Sequence, residues 1–168
     1  MIDTERLTLR PWSPDDDAAL YKYASDSRVS ELALWPTHTS VVMSREVIEK
    51  FFMPNPHCFA MVLKATGETI GCIGLVPTAD EHHETERLER EVGYWIGHTY
   101  WNTGLTTEAL KGLIAYCREK TDLASLLITT DHRNIASRRV AEKCDFRLTD
   151  TYLYDGVKNY AFRLLLNR

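Results

Sequence analysis

The chain has 168 residues, 44% of them hydrophobic and 26% charged. This balance excludes a disordered chain and fits one domain over 1–168 that folds without disulfide staples. Lys+Arg 20 against Asp+Glu 24 leaves a formal net charge of −4, which argues against a protein held to nucleic acid by charge alone.

In chain order, Thr8-Leu9-Arg10-Pro11-Trp12 reads as the end of a first strand. Ser13 then caps a helix with Pro14 at its first position and Asp15 and Asp16 in the first turn, and Leu20, Tyr23 and Ala24 form its apolar stripe. A second helix is expected from Arg45 to Phe52, closed by Pro54 and Pro56. Cys58 to Leu63 and Ile70 to Val76 read as a strand pair turning at Thr66-Gly67. Thr78 to Arg90 is almost wholly polar and is expected to be a solvated loop. Its His82-His83 pair is a weak metal candidate, because neighbouring loop histidines point different ways.

Val92 to Ile96 is a strand, Trp101 to Thr106 a turn, and a helix follows to about Lys120, with Leu110, Leu113, Ile114 and Cys117 at i, i+3, i+4, i+7. Leu126 to Thr130 is a strand and Ile135 to Lys143 a helix. The final strands, Thr149 to Tyr154 and Lys158 to Leu166, meet at Asp155-Gly156, the signature of a type I′ hairpin. Hairpins interspersed with helices imply a mixed sheet with helices on its faces. Cys58, Cys72, Cys117 and Cys144 form no Cys-x-x-Cys pair and sit among apolar residues, so they read as free buried thiols. No apolar run reaches the length of a membrane span. The opening Met1 to Arg6 lacks a basic-then-apolar leader pattern, so the expected location is the cytoplasm.

Two strand–turn–helix junctions carry polar or flexible residues. The turn after Ile96 has the form of an anion cradle: a helix start with unpaired N–H groups, Gly104 without a Cβ, and Thr103, Thr106 and Thr107 as hydroxyl donors. The second runs from Asp131 to Ser137. The chain has no Gly-x-x-x-x-Gly-Lys-Ser/Thr and no strand followed by Gly-x-Gly-x-x-Gly, which counts against P-loop and dinucleotide folds.

In these segments the chain resembles the GCN5-related N-acetyltransferases (GNAT), in particular the branch that acetylates the N-termini of ribosomal proteins. Thr4-Glu5-Arg6-Leu7-Thr8-Leu9-Arg10 is similar to that branch's first strand, and Glu91-Val92-Gly93-Tyr94-Trp95-Ile96 to its fourth. Tyr100-Trp101, Gly104 and Thr107-Glu108-Ala109 resemble its acetyl-CoA loop. Asn134, Ala136-Ser137, Val140, Glu142-Lys143 and Phe146 follow the pattern of its next helix. The chain departs from the pattern at Asn102 for a Gly, Thr103 for a basic residue, Thr106 for a small residue and Asp145 for a Gly. The change at Asp145 is mild because Asp tolerates a left-handed backbone.

The resemblance implies an α/β fold of mixed α+β type, a twisted mixed sheet of about seven strands flanked by helices, with the fourth and fifth strands splayed. It implies an acetyl-CoA-dependent N-acetyltransferase that needs no metal and transfers directly to an amine, either a protein N-terminus such as a ribosomal protein or a small amine. The acidic loop would suit a cationic acceptor. Homodimerisation is compatible with it. The backbone of Trp101, Asn102, Thr103, Gly104, Leu105 and Thr106 would hold the pyrophosphate, that of Trp95 and Ile96 the pantetheine, and Asn134 and Ser137 the sulfur end. A neutral amine must attack and a thiolate must be protonated as it leaves. Ser137 is the acid candidate, with helix capping as its alternative role. Glu91 is the base candidate, placed on one face with Gly93 and Trp95 by alternation, its alternative being an exposed loop charge. Tyr154 and Tyr160 are acceptor-side candidates or plain strand aromatics, and Asp131 and His132 stand in reserve. A covalent route through Cys144 or Cys117 lacks an activating partner. A different class also fits the altered loop: a GNAT-like module that binds CoA or a partner without turnover.

Overall fold

The computed structural model describes residues 1–81 and 83–167, so His82 of the metal candidate lies outside the described residues. Eight strands form one sheet: β1 (Ile2–Asp3), β2 (Leu7–Pro11), β3 (Cys58–Leu63), β4 (Thr69–Leu75), β5 (Glu89–Ile96), β6 (Ser125–Asp131), β7 (Arg147–Tyr154) and β8 (Val157–Leu165), in the order β1-β2-β3-β4-β5-β6-β8-β7. Every neighbouring pair is antiparallel except β5–β6, which is parallel. The extra strand over the expected seven is the two-residue β1 at the edge.

Among the described residues five α-helices join the strands: α1 (Asp17–Ala24), α2 (Ser27–Ala33), α3 (Val41–Val47), α4 (Leu105–Lys120) and α5 (Ile135–Lys143). α4 buries Leu105, Ala109, Leu110, Leu113, Ile114 and Cys117 in the main core with Leu7, Leu9, Ile73, Val92 and Ile128 from the strands. This is the stripe that the helical spacing of apolar residues dictates. A smaller cluster on the other side packs Trp12, Leu20, Ala24 and Ile48 onto Ala60 and Cys72. β4 is buried along its whole length, as a central strand covered on both faces should be.

Ser13 caps as its sequence promises. Its side chain accepts from Asp15 N–H, while Asp16 accepts from Ser13 N–H at 2.9 Å, completing a capping box on a short 3₁₀ turn before α1. The expected helix Arg45–Phe52 instead starts four residues earlier: Ser40 accepts from Met43 N–H at 3.0 Å and caps α3, and Ile48–Phe52 continues it as a π-turn. α2 was not expected; Asp26 caps it by accepting from Arg28 N–H at 3.0 Å, a signal hidden in a short segment. Asp155 and Gly156 have φ of 51° and 75°, as a type I′ hairpin between β7 and β8 requires.

The segment 78–90 is not simply a solvated loop. A 3₁₀ turn spans Thr78–Asp80 and β5 already begins at Glu89, which is buried. Arg90 donates to Val76 O at 2.6 Å, and His83 stacks on Tyr152 with ring centroids 4.4 Å apart. These contacts fasten the segment over one face of β5, β8 and β7, so its charges are partly spent on packing.

Candidate active site at a parted strand pair

β5 and β6 pair only through Glu89–Ser125, Arg90–Leu126 and Glu91–Leu127, although both strands run several residues further. Beyond Glu91 the two strands part, as expected of the fourth and fifth strands. On its other side β5 stays paired with β4 from Val92 to Ile96. Val76 N–H donates to Glu91 O and Gly97 N–H to Ile70 O, both at 2.8 Å. Alternation then turns the backbone groups of Trp95 toward β4 and those of Tyr94 and Ile96 toward the gap. The Ile96 carbonyl is already met by Trp101 Nε1 at 3.1 Å.

The turn that follows β5 is held from several sides. Trp101 N–H donates to His98 O at 3.1 Å, and the Thr103 hydroxyl to Tyr100 O at 2.5 Å. Thr103 therefore has its hydroxyl proton committed within the turn and is not the free donor that composition suggested. Asn102 has φ 60° and Gly104 φ 79°. Both are left-handed, which Asn tolerates better than most residues and Gly adopts without cost. Asn102 thus replaces a glycine while keeping the glycine's backbone form.

Gly104 caps α4 without any side chain, and the first backbone bond of the helix is Glu108 N–H to Gly104 O at 3.1 Å. Glu108 sits in the first turn, with its carboxylate engaged by the residues just before β2. Its carboxylate accepts from Thr4 Oγ1 and Arg6 N–H at 2.6 Å each and from Arg6 Nε at 2.7 Å. Burial raises its pKa, but the bonds from Thr4 and Arg6 outweigh that and hold it below the usual carboxylate range. Arg6 also donates to Thr103 O at 3.1 Å, tying the turn to the start of β2. The N–H groups that begin α4 are thereby left for an anion, with the positive end of a sixteen-residue helix behind them. A Cβ on Gly104 would meet only Arg6 Nη2, at 3.5 Å, so the open side of the turn is free for a ligand to approach the backbone. These features fit a diphosphate.

A cavity of about 260 Å³ runs from this turn into the gap. Trp95, Ile96, Trp101, Asn102, Thr103, Gly104, Leu105, Thr106, Asn134 and Ser137 all line it, so the structure brings every expected cofactor residue to one place. α2 contributes Val29, Leu32 and Ala33 as an opposing wall, and Tyr94 lies among them.

At the inner end, Asn134 caps α5 by accepting from Ser137 N–H at 3.1 Å. Capping therefore belongs to Asn134, and Ser137 is not the helix cap. The Ser137 hydroxyl instead lies 3.0 Å from the Tyr94 hydroxyl. Burial, the leading cause, pushes the Tyr94 phenol well above the ordinary tyrosine value, so it holds its proton at neutral pH. The sequence reading missed Tyr94, because its partner Ser137 lies 43 positions along the chain and no local pattern marks the pair.

Glu91 points to the other face and does not line this cavity. It is buried, with 3% of its surface exposed, and accepts from Thr129 Oγ1 at 2.5 Å. The alternative of an exposed loop charge is thereby removed. The Tyr152 hydroxyl is buried beside Thr129 and Glu91; burial raises its pKa, and a hydrogen bond with Thr129 works against that rise. Tyr152 was also missed. Tyr154, the acceptor-side candidate beside it, is exposed, while Tyr160 lies under Arg138 of α5 at 4.7 Å from its ring centroid. Asp131 is engaged by Arg133 at 2.6 Å, and His132 is half-buried near it. Burial raises the Cys117 and Cys144 thiols to about 11, against a role as thiolate nucleophiles. Among the described residues no group of three His, Cys, Asp or Glu is placed to hold a metal, and no helix is long and apolar enough to cross a membrane.

Comparison with known proteins agrees with this geometry. The model of the acetyltransferase (GNAT) domain matches residues 6–147. An uncharacterised N-acetyltransferase, p20, of Bacillus licheniformis is 28% identical over 173 aligned residues, covering 92% of this chain and 94% of its own. A GNAT-family acetyltransferase from Bacillus anthracis superposes with a TM-score of 0.83 at 23% identity, covering 98% of both chains. A ribosomal-protein-serine acetyltransferase candidate from Vibrio cholerae superposes with a TM-score of 0.76 at 25% identity, covering 98% of this chain and 96% of that one. With a family model spanning most of its length and the parted strands that this fold carries, the chain belongs to the GNAT acetyltransferase family.

Proposed function

We propose that this protein is an acetyl-CoA-dependent N-acetyltransferase that passes the acetyl group directly to an amine. The observation that carries the reading is the continuity of one cavity from the uncapped start of α4 to the gap between β5 and β6. The backbone N–H groups after Gly104 hold the diphosphate. The gap-facing backbone of Tyr94 and Ile96, more than that of Trp95, holds the pantetheine arm and polarises the thioester carbonyl. When bound, acetyl-CoA supplies an activated acetyl group.

The chain's own residues supply the proton traffic. Alternation along β5 puts Glu91 on one face of the sheet and Tyr94 on the other, with the gap between them. Glu91 takes a proton from the incoming ammonium, directly or through water, and Thr129 holds its carboxylate in place. Ser137 and Tyr94 deliver a proton to the departing sulfur, Tyr94 being kept neutral by burial. The acceptor enters from the Glu91 face, where the Tyr152 hydroxyl, beside Thr129 and Glu91, is ready to orient it. A protein N-terminus is favoured as acceptor by the likeness to the Vibrio cholerae protein, and a small cationic amine is second.

The test is thiol release from acetyl-CoA with a panel of N-terminal peptides and small amines. Amine-dependent release supports transfer. Stabilisation by acetyl-CoA without release on any amine would replace the enzyme by a CoA-binding module. At about 100 times its Kd the ligand should stabilise the fold by about 2.7 kcal/mol.

A further inference from the structure

The turn before α4 offers a phosphate backbone donors but no cation: its side chains from residue 101 to 107 are Trp, Asn, Thr, Gly, Leu, Thr and Thr. Arg6, beside the turn, spends Nε on Glu108 and Nη1 on the Thr103 carbonyl, so its charge is largely offset by the Glu108 carboxylate. Yet the lining of the cavity does include charge, and all of it is positive and on one element: Arg139 and Lys143 of α5. Ala136, Arg139, Val140 and Lys143 recur at i, i+3, i+4, i+7, so one stripe of the helix faces the cavity. Ser137, on the same helix, stands at the inner end by Tyr94. Both cations are exposed, and neither is paired with a carboxylate among the described residues. In a protein of net charge −4, two unpaired cations on the wall of a single cleft form a local positive seat.

We infer that Arg139 and Lys143 are the counter-charges for the nucleotide end of CoA, taking from α5 the role that the turn before α4 does not fill. The inference rests on the proposed acetyl-CoA site and names which of the chain's residues set its affinity for phosphate. CoA carries a diphosphate and a 3′-phosphomonoester, and dephospho-CoA carries only the first. The two ligands therefore tell which phosphate the cations meet.

The experiment is calorimetric titration of CoA and dephospho-CoA into the native protein, into R139Q/K143Q, and into R118Q/K120Q. The last removes the same charge from the far end of α4, where neither residue lines the cavity. We expect R139Q/K143Q to bind CoA about tenfold more weakly and with a shallower dependence on salt, while R118Q/K120Q binds as the native protein does. Loss confined to CoA places the cations on the 3′-phosphate, and equal loss for both ligands places them on the diphosphate; either supports the inference. Native affinity for both ligands in R139Q/K143Q at low salt overturns it. A native protein that binds neither ligand overturns the acetyl-CoA site itself.

Discussion

Replacing Gly104 by Ala separates the cost of a strained backbone from the cost of a filled phosphate seat. Gly104 has φ 79° and ψ 2°, a left-handed form that costs an L-residue about 1–2 kcal/mol. In the free protein the added methyl meets only the flexible end of Arg6, at 3.5 Å, an ordinary contact. The folding penalty should therefore be the backbone strain alone, about 1 kcal/mol, which lowers Tm by about 2–4 °C in a chain of this length. Such a loss leaves the protein folded at 25 °C, so it cannot itself weaken binding. The methyl does, however, stand where a diphosphate must approach the N–H groups of α4. CoA affinity should fall by at least tenfold, which is about 1.4 kcal/mol. Melting without ligand and calorimetry with CoA read the two effects apart. A G104A protein that melts slightly lower but binds CoA unchanged would show that the anion does not sit at this turn.

Glu91→Gln should lower kcat by about 10²-fold or more while leaving CoA affinity intact, because the side chain lies on the face away from the cavity; equal loss of CoA binding would contradict that placement. Tyr94→Phe removes the hydroxyl that shares a hydrogen bond with Ser137 and should lower kcat at unchanged CoA affinity, and stopped-flow or steady-state thiol release with a calorimetric control will read it. Asp16 accepts two 2.8 Å bonds from Arg10, one from Ser13 N–H and one from Thr69. Burial would raise its pKa, but these bonds win and hold it below the usual carboxylate value. A depressed folded pKa gives stability that is present above the unfolded value near ~4 and is lost as pH falls through the folded one. Asp16→Asn should therefore cost about 1–3 kcal/mol at pH 7 and lose less than the native protein between pH 5 and pH 2; parallel acid titrations followed by circular dichroism would contradict this. Cys117 and Cys144, raised to about 11 by burial, should resist iodoacetamide at pH 7.5 in the native protein and react after denaturation, as peptide mass mapping will show.

The sequence made some elements legible because local chemistry alone determines them. The α4 stripe, the Ile135–Lys143 helix, the Ser13 cap and the Asp155-Gly156 hairpin each depend on residues within one or two turns of chain, whereas the cap of α5 fell on Asn134 and not on Ser137. The turn and helix start that line the cavity were legible for the same reason, since they are contiguous in the chain. What stayed hidden depends on residues far apart. The Ser137–Tyr94 contact spans 43 positions and the Glu91–Thr129 bond 38. Neither the contact of Tyr94 with Ser137 nor the burial of Glu91 has a local signature. The segment 78–90 was misread because a count of charges does not show where Glu89, Arg90 and His83 spend theirs. α2 was missed because seven residues carry too little periodicity to stand out from loop.

The most direct measurement is a crystal structure of the protein with acetyl-CoA. The diphosphate should lie against the backbone that opens α4, the thioester carbon in the space between β5 and β6, and the sulfur within reach of the Ser137 hydroxyl. A cofactor bound at any other surface, or strands β5 and β6 zipped together past Glu91, would contradict this placement.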